Sequence, residues 1–194
     1  MSDPMFHMEQ ALAAYASMLE QTGRRVNLVS RHDLSRLKEL HIEPCVRFAR
    51  ILAELHPQQV LDLGSGGGLP GIPSAIVNPD TPLLLCESLG KKAEFLRRVI
   101  HRLSLRNASV LEDRVERLKL EPLPDLITAR FFGTVDEILT ISATCRSEQT
   151  RYLLIKGEEE DLPTKAAGYR LQTSTPIGNG KRAVLYSPDE GTFA

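Results

Sequence analysis

Five glycines fall within eight residues at positions 64–71, directly after the apolar run Val60-Leu61-Asp62-Leu63. Glycine tolerates positive φ and lets a ligand approach where a Cβ would collide. The start of the next helix, marked by Pro70 and Pro73, offers backbone N–H groups to a carboxylate or phosphate. A strand-to-helix crevice of this kind is where open parallel sheets bind ligands. A tight turn would need one small residue; five point to a ligand loop with Asp62, Gly64, Gly66 and Gly68 as its candidate contacts. Gly66, Gly68 and Gly71 also satisfy G-x-G-x-x-G, with Glu87 at the spacing of a ribose-binding acid, so a nicotinamide dinucleotide is an open alternative. Against it, Pro70 sits where a dinucleotide-binding helix would already be using its N–H groups. No Gly-Lys-Ser/Thr follows, which excludes a phosphate loop of the Walker type.

Further candidates stand where strands should end. Glu87 can accept hydrogen bonds from both hydroxyls of a ribose. Asp113-Arg114-Val115-Glu116 is placed to border an adenine ring. Arg130 and Lys156 bring positive charge to the rim, where a cofactor carboxylate or an RNA phosphate could meet them. No Asn/Asp-Pro-Pro-Tyr/Phe motif or nucleophilic cysteine stands after the fourth strand. Arg130 and Phe131 occupy that region, which suits attack by a ring nitrogen that needs placement rather than a base. No catalytic residue is assigned; Arg130 is the one candidate.

The elements that position these residues follow from periodicity. Residues 5–21 carry Leu12, Tyr15, Ala16 and Leu19 at helical spacing, and residues 24–50 are polar and basic. Apolar runs at 60–63, 83–87, 109–111, 126–128 and 152–155 alternate with helical segments such as 91–103 and 135–145. That alternation indicates a parallel sheet covered on both faces. An acidic turn at 158–161 and a short helix are expected next, then strands at 169–175 and 182–186 joined through Gly178-Asn179-Gly180 as an antiparallel hairpin. We therefore expect a helical extension at 1–58 and a Rossmann-like α/β domain at 59–194, forming one compact unit.

The net charge is −1, so the total excludes nothing, but its distribution is uneven. The helix from Lys91 carries Leu96, Val99, Ile100 and Leu103 on one stripe and Lys91, Lys92, Arg97, Arg98, His101 and Arg102 elsewhere. With Arg24 and Arg25 from the basic segment, these form a candidate RNA surface, to which Phe131 and Lys156 would add a stacking ring and a charge. Cys45, Cys86 and Cys145 are odd in number and lack metal-ligand spacing, so reduced thiols and no metal are expected. No apolar run approaches membrane-spanning length, and no signal-peptide pattern opens the chain. A monomeric cytoplasmic protein is the expectation.

These residues resemble a known family. The matching segments are Asn27-Leu28, His41-Ile42, Leu69-Pro70-Gly71-Ile72-Pro73, Glu87-Ser88-Leu89-Gly90-Lys91-Lys92 and Phe95-Leu96-Arg97, then Arg114-Val115-Glu116, Arg130-Phe131 and Leu154-Ile155-Lys156-Gly157. In this order they resemble the glucose-inhibited division protein B family, the small-subunit ribosomal RNA methyltransferases also called RsmG. The resemblance implies an S-adenosylmethionine-dependent methyltransferase fold and methyl transfer to guanine N7 in the 530 loop of bacterial 16S rRNA, free or within the small subunit. It also implies cofactor contacts at Gly64, Leu69, Val115, Glu116 and Arg130. The chain departs from the family pattern in reading Gly-Ser-Gly-Gly-Gly in the loop and in carrying Glu87 for aspartate. It departs again in having Glu43-Pro44-Cys45 for Leu-Asp-Ser. A nicotinamide-linked oxidoreductase and a non-catalytic RNA-binding module are the alternatives.

Overall fold

The computed structural model describes residues 4–23, 25–130 and 132–189. The apolar runs form one eight-stranded sheet in the order β3-β2-β1-β4-β5-β8-β7-β6. Its strands are β1 (Val60–Leu63), β2 (Leu83–Cys86), β3 (Ala108–Leu111), β4 (Leu126–Arg130), β5 (Arg151–Gly157), β6 (Lys165–Ala166), β7 (Tyr169–Gly178) and β8 (Lys181–Pro188). β1 to β5 pair in parallel, whereas β8 joins β5 antiparallel and pairs with β7. Asn179-Gly180, both at positive φ, close the expected hairpin.

β1 is buried at all four positions because it lies at the centre of the sheet with helices on both faces. On one face α1 (Pro4–Gly23), α2 (Glu43–Glu54), α3 (Gly71–Val77) and α4 (Gly90–Leu103) enclose a cluster that includes Tyr15, Phe48, Ile72 and Leu96. On the other, α5 (Val135–Ile141) covers Leu61, Leu63, Ile127 and Tyr152. Residues before 59 thus share a core with the sheet.

One local reading is sharpened and one is corrected. The basic stretch before residue 50 contains α2, whose Cys45, Phe48, Ala49 and Leu52 are buried at helical spacing while Arg47 and Arg50 face outward. The short helix expected after Asp161 does not form. That segment enters β6, which pairs with β7 through Lys165 and Ala166. Among the described residues no helix is long and apolar enough to cross a membrane.

Candidate cofactor site

β1 and β4 lie in register with Asp62 opposite Thr128, so the Thr128 hydroxyl donates to Asp62 Oδ1 at 2.7 Å. The other carboxylate oxygen, Oδ2, faces Gly71, where an added Cβ would come within 2.8 Å. Burial pushes the Asp62 carboxyl up to about 6, opposed by the Thr128 hydrogen bond. Asp62 therefore lies beneath the glycine loop and shapes it; Ser65 Oγ also donates to its carbonyl at 3.0 Å.

Glu87 follows β2 and ties two turns together. Its Oε2 accepts from the Gly66 N–H at 2.9 Å and its Oε1 from the Leu89 N–H at 2.8 Å. The residue is only 6% exposed. Each oxygen has a second acceptor site after that first bond. Beside it lies a cleft of about 380 Å³ whose walls include Gly64, Glu87, Leu89, Val115, Glu116 and Phe132. That volume is within the usual range for a small-molecule site, about 300–1,000 Å³. Val115 and Glu116 reach it from a 3₁₀ turn, Val115–Arg117, that follows β3. The Phe132 ring lies directly on Gly64, in the space that a Cβ there would need.

Four predicted contacts, Gly64, Glu87, Val115 and Glu116, thus line one cleft. Gly66 joins them through Glu87. Gly68 and Leu69 turn the other way, into the core. An added Cβ at Gly68 would meet Ile72 at 2.5 Å and Leu96 at 3.0 Å, and Leu69 is 7% exposed. The start of α3 is buried as well, and the Ile72 N–H bonds to the Gly68 carbonyl. The expectation of open helix-terminal N–H groups is therefore corrected: core packing has closed them off. This also removes the feature on which dinucleotide loops rely.

Residues 8–175 match the model of the GidB family, described as rRNA small subunit methyltransferase G. The chain belongs to this family. The ribosomal RNA small subunit methyltransferase G of Shigella flexneri is 32% identical over 185 residues, covering 92% of this chain and 88% of the relative. The protein of that name from Erwinia tasmaniensis is 32% identical over 173 residues, covering 87% and 82%. Among solved structures, a mutant of MtNAS in complex with S-adenosylmethionine aligns with a TM-score of 0.62 at 14% identity, covering 95% of this chain and 75% of that one. A SAM-dependent methyltransferase from Aquifex aeolicus aligns at 0.56 and 18%, covering 79% and 93%. At these identities the structures establish the fold. Family membership makes the chain an S-adenosylmethionine-dependent rRNA methyltransferase and displaces the nicotinamide alternative.

The predicted basic residues separate into groups. Lys91 is exposed on α4 and Lys92 half-buried. Arg98 and Arg25 border one open groove between α4 and the end of α1. Arg97 pairs with Glu112 at 2.7 Å. Lys156 is not on the rim as expected: it is 6% exposed, donates to the Gly133 carbonyl at 2.5 Å and pairs with Glu160 at 2.9 Å. Arg24 and Phe131 lie outside the described residues. Arg130 ends β4, and its guanidinium turns toward the N-terminal region, 2.7 Å from His41 Nδ1 and 3.6 Å from Cys45 Sγ. The three cysteines are free and buried, and no group of three metal-ligating side chains occurs among the described residues.

Sequence reasoning missed Tyr15 and His41 as parts of the site's frame. The Tyr15 hydroxyl donates to the Gly67 carbonyl at 2.7 Å from 52 positions away. The only available signal was an aromatic residue on an otherwise aliphatic helix stripe.

Proposed function

We propose that this chain transfers a methyl group to N7 of a guanine in the 530 loop of 16S rRNA, with the cofactor held in the cleft between the ends of β1, β2 and β3. The observation that carries the cofactor reading is the convergence of Gly64, Glu87, Val115 and Glu116 on one cleft of suitable size in a chain of this family. Bound S-adenosylmethionine supplies a methyl group activated on a sulfonium. Glu87 receives the ribose hydroxyls on acceptor sites left by its two backbone bonds, and each charge-assisted bond contributes about 1.5–3 kcal/mol. The 115–116 turn would border the adenine, and Arg130, at the end of β4, would meet the cofactor's carboxylate. Phe132, packed on Gly64 at the cleft wall, would screen a bound cofactor from water. Guanine N7 carries a free lone pair, so no side chain need remove a proton. The work of the site is to hold the base in line with the methyl group.

RNA would run over α4 and the groove that Arg25 shares with Arg98, with affinity falling as salt rises. We read residues 1–58 as an extension continuous with the catalytic unit, which acts in the cytoplasm as a monomer on rRNA or the assembling small subunit. The test is to incubate purified chain with labelled cofactor and 30S subunits from cells lacking the enzyme, then map the modified nucleotide. Label at a 530-loop guanine N7 is expected; transfer to no nucleotide of 16S rRNA would refute the reading.

A further inference from the structure

A chain of three polar side chains links the N-terminal region to the end of β4. His41 is 6% exposed and sits between Arg130, whose guanidinium is 2.7 Å from Nδ1, and Asp33, whose Oδ2 is 2.9 Å from Nε2. A guanidinium has donors only, so Nδ1 must accept. The ring proton then lies on Nε2 and is donated to Asp33. Both ring nitrogens are thereby used, and the neutral imidazole is held in one tautomer and one orientation. Burial, with the Arg130 charge second, holds the His41 pKa below its ordinary value, and the Asp33 hydrogen bond opposes them.

The backbone around His41 is equally constrained. It lies in a π-helical turn, Lys38–Ile42. Such turns are rare and recur at functional sites. The β7–β8 hairpin braces the turn from outside: Asn179 Nδ2 donates to the Glu39 carbonyl, and Lys181 Nζ donates to the Leu40 carbonyl at 3.2 Å. Arg130 is one residue beyond Ala129, the register partner of Leu63, and two before Phe132, which lines the cleft.

We propose that Asp33 and His41 are positioning residues for the methyl-transfer reaction: they fix the Arg130 guanidinium at the end of β4 so that it meets the carboxylate of the bound cofactor. This rests on the cofactor reading above. It gives the N-terminal region a part in cofactor binding separate from RNA docking. Protonating His41 would turn Nδ1 from acceptor to donor and set a second positive charge against Arg130, with Lys181 adding to the repulsion and Asp33 opposing it. Cys45 and Tyr15, which also feel the Arg130 charge, are neutral because burial raises both groups. Asp62 feels it too and titrates near 6, so its contribution is separated by substitution. Arg130 should therefore lose its position as pH falls through the His41 pKa.

The test is calorimetric titration of the full chain with S-adenosylhomocysteine, with thermal melts to check folding. His41→Ala and Arg130→Ala should each weaken binding by roughly tenfold, the value of one charge-assisted bond. The double variant should be no weaker than Arg130→Ala alone. His41→Asn places an amide oxygen near the Nδ1 position and should restore most of the loss. Wild-type affinity should fall on acidification in a step that Asp62→Asn keeps and Arg130→Ala lacks. If His41→Ala fails to fold, Asp33→Asn carries the test, with a smaller loss that Arg130→Ala again masks. The proposal is overturned if the single losses multiply in the double variant, or if His41→Ala binds as wild type while Arg130→Ala does not. A wild-type chain that ignores S-adenosylhomocysteine would instead remove the cofactor reading, and the positioning role with it.

Discussion

The glycine loop has two sides, and its residues are small for different reasons on each. On the cleft side, Gly64 and Gly66 are partly exposed; a Cβ on Gly66 would have only the Gly64 carbonyl oxygen nearby, at 3.7 Å. On the core side, a Cβ on Gly67 would come within 3.0 Å of Leu19 and 3.1 Å of the Leu28 carbonyl, and one on Gly71 would run into Leu85. Gly66 leaves room for a ligand, and Gly64 admits the Phe132 ring that lines the cleft. The others let α1, the chain near Leu28 and β2 press against the loop. Glycine richness therefore records the approach of the N-terminal region as much as the approach of a cofactor.

Substitutions on the two sides should separate these roles. The largest effect is expected for Gly68→Ala, which forces a Cβ into Ile72 at 2.5 Å at a φ of +91°. It should lower unfolding free energy by about 3 kcal/mol or more in denaturant titration, as overpacking and backbone strain add. Asp62 gives the next effect, and its sign depends on pH. Its folded-state pKa of about 6 lies above the ordinary carboxyl value of 3.8. Folding therefore takes up a proton between these values, and the stability this carboxyl contributes at low pH is lost as pH rises through 6. Asp62→Asn keeps an acceptor for Thr128 and removes that dependence. Relative to the variant, wild type should lose up to about 3 kcal/mol between pH 4 and pH 7, as measured by chemical denaturation at each pH.

On the cleft side the expected changes are smaller in stability and larger in binding. Glu87→Gln sets an amide N–H₂ against the Gly66 or Leu89 N–H, costing about 1–3 kcal/mol. It should also weaken S-adenosylhomocysteine by roughly tenfold, by loss of a charge-assisted bond. Gly66→Ala, at a φ of +56° in open space, should cost only about 1–2 kcal/mol of stability, with a clear loss of cofactor affinity in the same calorimeter. If Gly66→Ala destabilised the chain as much as Gly68→Ala, the two-sided account of the loop would be wrong.

This contrast also explains what could be read along the chain. The central strands were legible because a strand buried on both faces must be apolar throughout, and the Gly178-Asn179-Gly180 turn marked the hairpin. α2 was hidden because Arg47 and Arg50 drew attention to charge while Phe48, Ala49 and Leu52 carried the helical period. Gly64, Glu87 and Val115 could be placed because strand ends follow from strand positions. The role of Gly67 and Gly68 could not, since it depends on Tyr15, Leu19 and Leu28, which meet the loop only after folding. The same holds for His41, 89 positions from the arginine it touches. Lys156 was misplaced because a charge at a strand end reads as surface, and nothing local reveals that the Gly133 carbonyl, 23 positions away, takes its ammonium.

Hydrogen exchange with and without S-adenosylhomocysteine separates the cleft side of the loop from its core side, because it reads both in one molecule. Slower exchange is expected at 64–66, 87–89 and 113–116, with little change at 67–77, where packing already protects the amides. Protection confined to 67–77, with none at 87–89 or 113–116, would contradict that expectation.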